Sequence, residues 1–182
     1  MKLNFCEQYK YLTDENNIFK EINYDELKDI LDSFKTGLIL VGGPWHNKCQ
    51  SIMKETNDIC KREGLEEVFV YNPKFVNVFK EEEDLRDCLT LENKLKYYYI
   101  IEHTGYKSDN LVKDTLIAKM NLPTFLAIKN GNCVKYYTPS LIKDSKDPFL
   151  HEEGSLEDKT LEFDAKLTEL CKAITDEKNR FL

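Results

Sequence analysis

Two short runs of apolar residues, at positions 38–41 and 68–71, constrain the fold of this sequence most strongly. Neither run shows the alternation with polar residues that marks a strand with one solvated face, so both are typical of strands covered on both sides. Between them, residues 47–62 repeat apolar side chains at helical spacing, and Gly64 follows as a stop signal. A buried strand, a helix and a second buried strand indicate an α/β fold with parallel strands in its sheet.

The residues before the first run extend this alternation. Positions 18–22 are strand-like, and Asn23 followed three residues later by Glu26 has the pattern of a capping box. The sequence therefore predicts a helix from Asn23, ended by Gly37.

The segment after the second buried run is charged and harder to interpret. Residues 80–95 carry apolar side chains on one helical face, which predicts a helix. Residues 97–101 are short and apolar, so they either form a strand or extend that helix. A further short helix is predicted over residues 110–120.

The last part of the chain predicts a hairpin and a helix. Residues 125–128 and 133–137 are strand-like, and Asn130-Gly131 between them favours a tight turn, so the two strands should be antiparallel neighbours. Ser155, with an acidic residue three positions later, is a candidate N-cap of a final amphipathic helix.

Composition and charge exclude several classes of function. The 26 basic and 33 acidic residues give a net charge of -7, and no basic cluster offsets it, so we expect no nucleic-acid partner. The longest apolar runs are far too short to cross a bilayer, and residues 1–17 lack the apolar core of a signal peptide. We therefore expect a cytoplasmic protein without a membrane partner, folded as one domain over residues 1–182.

The six cysteines do not form a recognisable framework. No two of them make a C-x-x-C pair, which removes the usual evidence for a structural zinc site or a dithiol redox centre. His46 and Cys49 have the spacing of half a metal site, but further ligands are missing from the pattern. We expect reduced thiols, no metal and no cofactor.

Two short motifs carry a family resemblance. The first is Trp45-His46-Asn47-Lys48-Cys49, which follows an apolar strand and a turn and opens a helix. The second is Leu122-Pro123-Thr124, which precedes a strand, a Lys-Asn-Gly turn and another strand. Together they resemble the thioredoxin family.

The resemblance implies a thioredoxin-like fold, with a central mixed β-sheet flanked by helices. It implies a cis Pro123 packed across from the first motif, at the border of a groove for substrate peptide. Trp45, Lys48, Leu122, Pro123 and Thr124 become candidate substrate-binding residues. Residues 1–17 would then be an N-terminal extension, and about residues 75–109 an insertion before the cis-proline strand.

Three positions depart from the family pattern. His46 stands in the place of the attacking cysteine, Lys48 replaces the proline between the two cysteines, and Leu40 aligns with an acid that many thioredoxins bury. The usual dithiol cycle therefore cannot run in this chain.

Two functions stay open on the sequence. A thiol near a helix N-terminus is favoured as thiolate, so Cys49, assisted by His46, could exchange with a protein or peptide thiol or disulfide as a monothiol enzyme. Alternatively, Cys49 packs as a small hydrophobe, and the chain is a non-catalytic module that binds a peptide or protein.

Overall fold

The computed structural model describes residues 4–76, 81–87, 90–141 and 156–176. Its helices are α1 (Phe5–Gln8), α2 (Tyr24–Asp32), α3 (Asn47–Arg62), α4 (Leu91–Thr104) and α5 (Leu156–Thr175). Its strands are β1 (Phe19–Ile22), β2 (Gly37–Val41), β3 (Val68–Tyr71), β4 (Lys74–Val76), β5 (Glu82–Asp84), β6 (Thr124–Lys129) and β7 (Asn132–Tyr137). A single 3-10 turn, Leu85–Asp87, follows β5.

A five-stranded sheet organises the chain, with the strand order β1-β3-β2-β6-β7. β3 pairs in parallel with β1 and β2, whereas β6 is antiparallel to both β2 and β7. The α/β class and the mixed central sheet are confirmed. The predicted hairpin is confirmed as well, because β6 and β7 are joined at Asn130 and Gly131, both of which have positive φ.

Helices flank the sheet and bury its apolar surface. α5 packs on β2, β6 and β7 and also contacts α3, while α4 contacts β7. All six residues of β6 are buried, and the ring of Phe125 lies 6.0 Å from that of Phe163 on α5. Among the described residues, none of the helices combines the length and the apolar character that a membrane span requires.

The first residues of the chain dock on α3. Phe5, Tyr9 and Leu12 are buried in the core. The Asp14 carboxylate accepts hydrogen bonds from the Lys61 ammonium and the Asn57 amide, which lower the pKa of Asp14 to about 2. This segment therefore supports the helix that carries the first motif.

The helix predicted over residues 80–95 is wrong for residues 82–87 and is confirmed only for residues 91–95, which belong to α4. β5 and the 3-10 turn occupy residues 82–87, and α4 begins only at Leu91, where the Thr90 side chain accepts a hydrogen bond from the Asn93 backbone. The undecided residues 97–101 lie inside α4. An N-cap at Thr90 thus separates two segments that share one apolar periodicity in the sequence.

The helix predicted over residues 110–120 is also wrong. This segment forms turns closed by an antiparallel bridge between Leu111 and Ala118, and Asp114 has a φ of 60°, which a right-handed helix does not allow. α2 ends at Asp32 rather than near Gly37, which instead pairs with Ile128 in the sheet. The candidate cap Ser155 lies outside the described residues.

Candidate functional site

The first motif lies at the carboxyl edge of the parallel strands. β1, β2 and β3 end together, since Ile22 and Val41 both pair with Tyr71. The chain leaves β2 through the turn 42–44 and enters α3, whose N-cap is His46. This is the edge at which open α/β sheets bind their ligands.

Cys49 and Pro123 meet across the backbone of Gly42. Val41 pairs with Thr124, which brings residue 42 beside the loop before β6. A Cβ atom placed on Gly42 would lie 2.6 Å from the Cys49 sulfur and 3.8 Å from Cβ of Pro123. The Leu122–Pro123 peptide bond is cis. Glycine is therefore required where the two motifs approach each other.

The Cys49 thiol is buried, with 1% of the residue exposed. Burial raises its pKa to about 12, and this effect outweighs a hydrogen bond from the Gly43 backbone and the positive charge of Arg86, both of which favour the thiolate. At neutral pH the sulfur of Cys49 is consequently protonated.

His46 is also partly withdrawn from solvent. Burial is the main cause that lowers the pKa of His46, and the charges of Lys48 and Arg86 lower it further. Its Nδ1 atom is buried and has no hydrogen-bond partner in the described part of the chain. The imidazole is therefore neutral at pH 7.

Trp45 contacts two cations. Its Nε1 donates a hydrogen bond of 3.0 Å to Oδ1 of Asn72. The Lys74 ammonium lies 4.1 Å from the ring centroid, and the Arg86 guanidinium carbon lies 5.8 Å from it. Both distances are typical of cation–π contacts. The indole is nevertheless 37% exposed, so part of its surface stays accessible to a partner.

Arg86 ties the segment 82–87 to the loop that precedes Pro123. Its guanidinium donates two hydrogen bonds to the Asp84 carboxylate, at 2.7 and 3.1 Å, and one of 3.0 Å to the Met120 carbonyl. The Arg86 and Asp84 side chains are only 14% and 7% exposed. This ion pair is shielded from solvent and fixes the segment beside Trp45.

Sequence reasoning missed Arg86, Asp84, Asn72 and Lys74. A single signal was available, because Arg86 is the one basic residue among the acids of 81–87. A lone cation in an acidic stretch does not reveal a contact 34 residues further along the chain, at Met120.

The candidate substrate-binding residues separate into two groups. Trp45 is exposed and Lys48 is half-buried, so both reach the surface. Leu122, Pro123 and Thr124 are buried, and the Thr124 hydroxyl is engaged by the Asn121 carbonyl and the Thr138 hydroxyl. Residues 122–124 therefore contribute backbone atoms, rather than accessible side chains, to the surface around Trp45.

Within the described ranges, no group of three or more His, Cys, Asp or Glu side chains is placed to hold a metal ion. No protein-family model matches the chain, and no curated protein matches it.

Proposed function

We propose that this chain is a thioredoxin-like module that binds a protein or peptide partner without thiol chemistry at Cys49. Three features support the thioredoxin likeness: the strand order β1-β3-β2-β6-β7, the first motif at the start of α3, and the cis proline directly before β6. The sequence resemblance implies a mixed central sheet, the first motif at the start of a helix and the cis proline; it implies no particular strand order.

The burial of Cys49 carries the non-catalytic part of the proposal. Thiol–disulfide exchange needs a thiolate that can reach a disulfide sulfur in line. Cys49 is 1% exposed, its pKa is raised to about 12, and the Gly42 backbone packs against its sulfur. A neutral His46 provides no imidazolium to offset this burial.

The partner surface in this proposal is centred on Trp45. Tryptophan side chains often contribute strongly to binding at protein interfaces. Lys48, three residues further along the chain, adds a positive charge to the same motif. Lys74 and Arg86, contributed by β4 and the 3-10 turn, hold the ring from the side of the proposed insertion. This segment would then shape which partners fit.

Monothiol exchange at Cys49 is the second candidate. The Gly43 hydrogen bond and the charge of Arg86 both lower the pKa of Cys49, so a partner that displaced the covering residues would meet a sulfur already biased towards thiolate. Under this alternative, a disulfide probe forms a mixed disulfide with Cys49.

Two measurements distinguish the candidates. Incubation of the folded protein with glutathione disulfide, followed by peptide mass mapping, should leave Cys49 unmodified; a mixed disulfide at Cys49 would favour the second candidate. Partner proteins retained on immobilised protein should be the same for wild type and Cys49→Ser. Trp45→Ala should reduce this retention, whereas Tyr98→Ala, which removes an exposed aromatic from α4, should not.

A further inference from the structure

Cys60 and Cys171 form a close thiol pair in the core. Their sulfur atoms lie 3.7 Å apart, and both residues are fully buried. Cys60 lies near the end of α3 and Cys171 in the second half of α5, so the pair joins two helices that are distant in sequence. The pair is separate from the site at Trp45 and plays no part in the proposed function.

An ion pair fixes the two helices close to the thiols. Arg62, two residues after Cys60, donates hydrogen bonds of 3.0 and 2.9 Å to the Asp164 carboxylate and one of 2.7 Å to the Thr168 hydroxyl. These contacts set the register of α5 on α3. The two thiols are therefore adjacent in the folded protein because the helices that carry them are in contact.

The distance is short enough for covalent closure. A disulfide bond is about 2.05 Å long, so the sulfur atoms must approach by roughly 1.6 Å, which side-chain rotation and a small shift of α5 can supply. The hydrogen bond between the thiols lowers the pKa of Cys171, whereas this bond and burial raise the pKa of Cys60. These directions favour Cys171 as the sulfur that reacts first, although either sulfur can donate the hydrogen bond between them.

We propose that Cys60 and Cys171 are a modification site, at which peroxide oxidation of the folded protein forms an intramolecular disulfide that fastens α5 to α3. The Cys171 thiolate attacks one peroxide oxygen, the O–O bond breaks, and the departing oxygen leaves as water after protonation. Cys171 is then a sulfenic acid. Access for the peroxide comes from local opening of α5.

The Cys60 sulfur completes the reaction. It attacks the sulfenic sulfur, the S–S bond forms and the S–O bond breaks, and the hydroxyl leaves as a second water with the proton of Cys60. In sum, two thiols lose two protons and two electrons, and one peroxide takes them up and is reduced to two waters.

Peptide mapping after treatment with hydrogen peroxide tests this proposal. Tryptic peptides 55–61 and 167–172 each contain one cysteine, so a linked ion of the two identifies the disulfide without ambiguity. We expect this ion to account for most of the oxidised Cys60 and to disappear on reduction. The oxidised protein should also unfold at a higher temperature than the reduced protein.

Matched variants decide the outcome. The control variant Cys6→Ser/Cys133→Ser removes two half-buried cysteines and should keep the linked ion. The test variants Cys171→Ser and Cys60→Ser should lose both the linked ion and the rise in unfolding temperature. Circular dichroism checks that each of them is folded. The proposal is overturned if Cys6 and Cys133 oxidise while the linked ion stays absent, or if Cys60 pairs mainly with another cysteine.

Discussion

Replacing Arg86 with alanine should destabilise the protein markedly. The change removes two hydrogen bonds to Asp84 and one to the Met120 carbonyl, and leaves a carboxylate whose side chain is 7% exposed without its cation. Removal of one partner from a buried ion pair costs about 3–5 kcal/mol. Because Arg86 retains some exposure, we expect the free energy of unfolding to fall by about 3 kcal/mol, which corresponds to a fall in Tm of about 10 °C.

Arg62→Ala is the matched control. Arg62 also forms a two-bond fork with a carboxylate, that of Asp164, but the two side chains are 49% and 42% exposed. Exposed ion pairs typically contribute up to about 1 kcal/mol. The same chemistry should therefore matter much less at this position.

Urea unfolding, followed by circular dichroism and by fluorescence, measures both variants. Trp45 is the only tryptophan, so its emission also reports the loss of the Arg86 contact at the site. The double variant Asp84→Ala/Arg86→Ala should recover part of the loss, since no unpaired carboxylate remains. Equal losses of stability in Arg86→Ala and Arg62→Ala would refute the reasoning.

Two further predictions concern the residues around Cys49. Gly42→Ala places a methyl group 2.6 Å from the Cys49 sulfur and should cost about 1–3 kcal/mol in urea unfolding. The same change in a Cys49→Ala background should cost less, and an undiminished cost would exclude this contact as the cause. Burial lowers the pKa of His46 in the folded protein. As the pH falls, His46 is therefore protonated in the unfolded chain at a higher pH than in the folded protein. The free energy of unfolding should therefore decline as the pH falls through about 6.5. The His46→Gln variant should lose less stability over this pH range. Equal declines in wild type and variant would contradict the burial of His46.

The parts of the fold that the sequence predicts are those encoded locally. α3 has the predicted bounds, 47–62. Its two signals are both local, since the apolar periodicity lies within the helix and Gly64 follows shortly after it. The turn at Asn130 and Gly131 needs positive φ at both residues, which this pair adopts readily.

The parts that the sequence does not predict are decided by contacts with distant residues. Residues 110–120 have helical periodicity, but they form turns in which Val112 and Met120 are buried, whereas Leu116 is 94% exposed. The Tyr97 hydroxyl accepts a hydrogen bond from the Met120 backbone and donates one to the Ala118 carbonyl. Such tertiary contacts override a weak local preference.

The candidate site shows the same division. The sequence places Cys49 at the start of a helix, where the free N–H groups favour a thiolate. Whether the sulfur faces solvent depends on the Gly42 backbone and on Pro123, which precedes β6 and lies more than seventy residues further along the chain. The burial of Cys49 could not be read from the motif alone.

The alkylation rate of Cys49 against pH tests the central claim most directly. Iodoacetamide labelling, followed peptide by peptide, should modify Cys49 far more slowly than the half-buried Cys6, with no plateau below about pH 10, because burial raises the Cys49 pKa. Comparison with His46→Ala should show no slowing, since a neutral imidazole gives no assistance. The account would be contradicted if Cys49 were labelled as fast as an ordinary free thiol, with a rate that reaches its plateau near neutral pH. In that case the rate should also fall in His46→Ala.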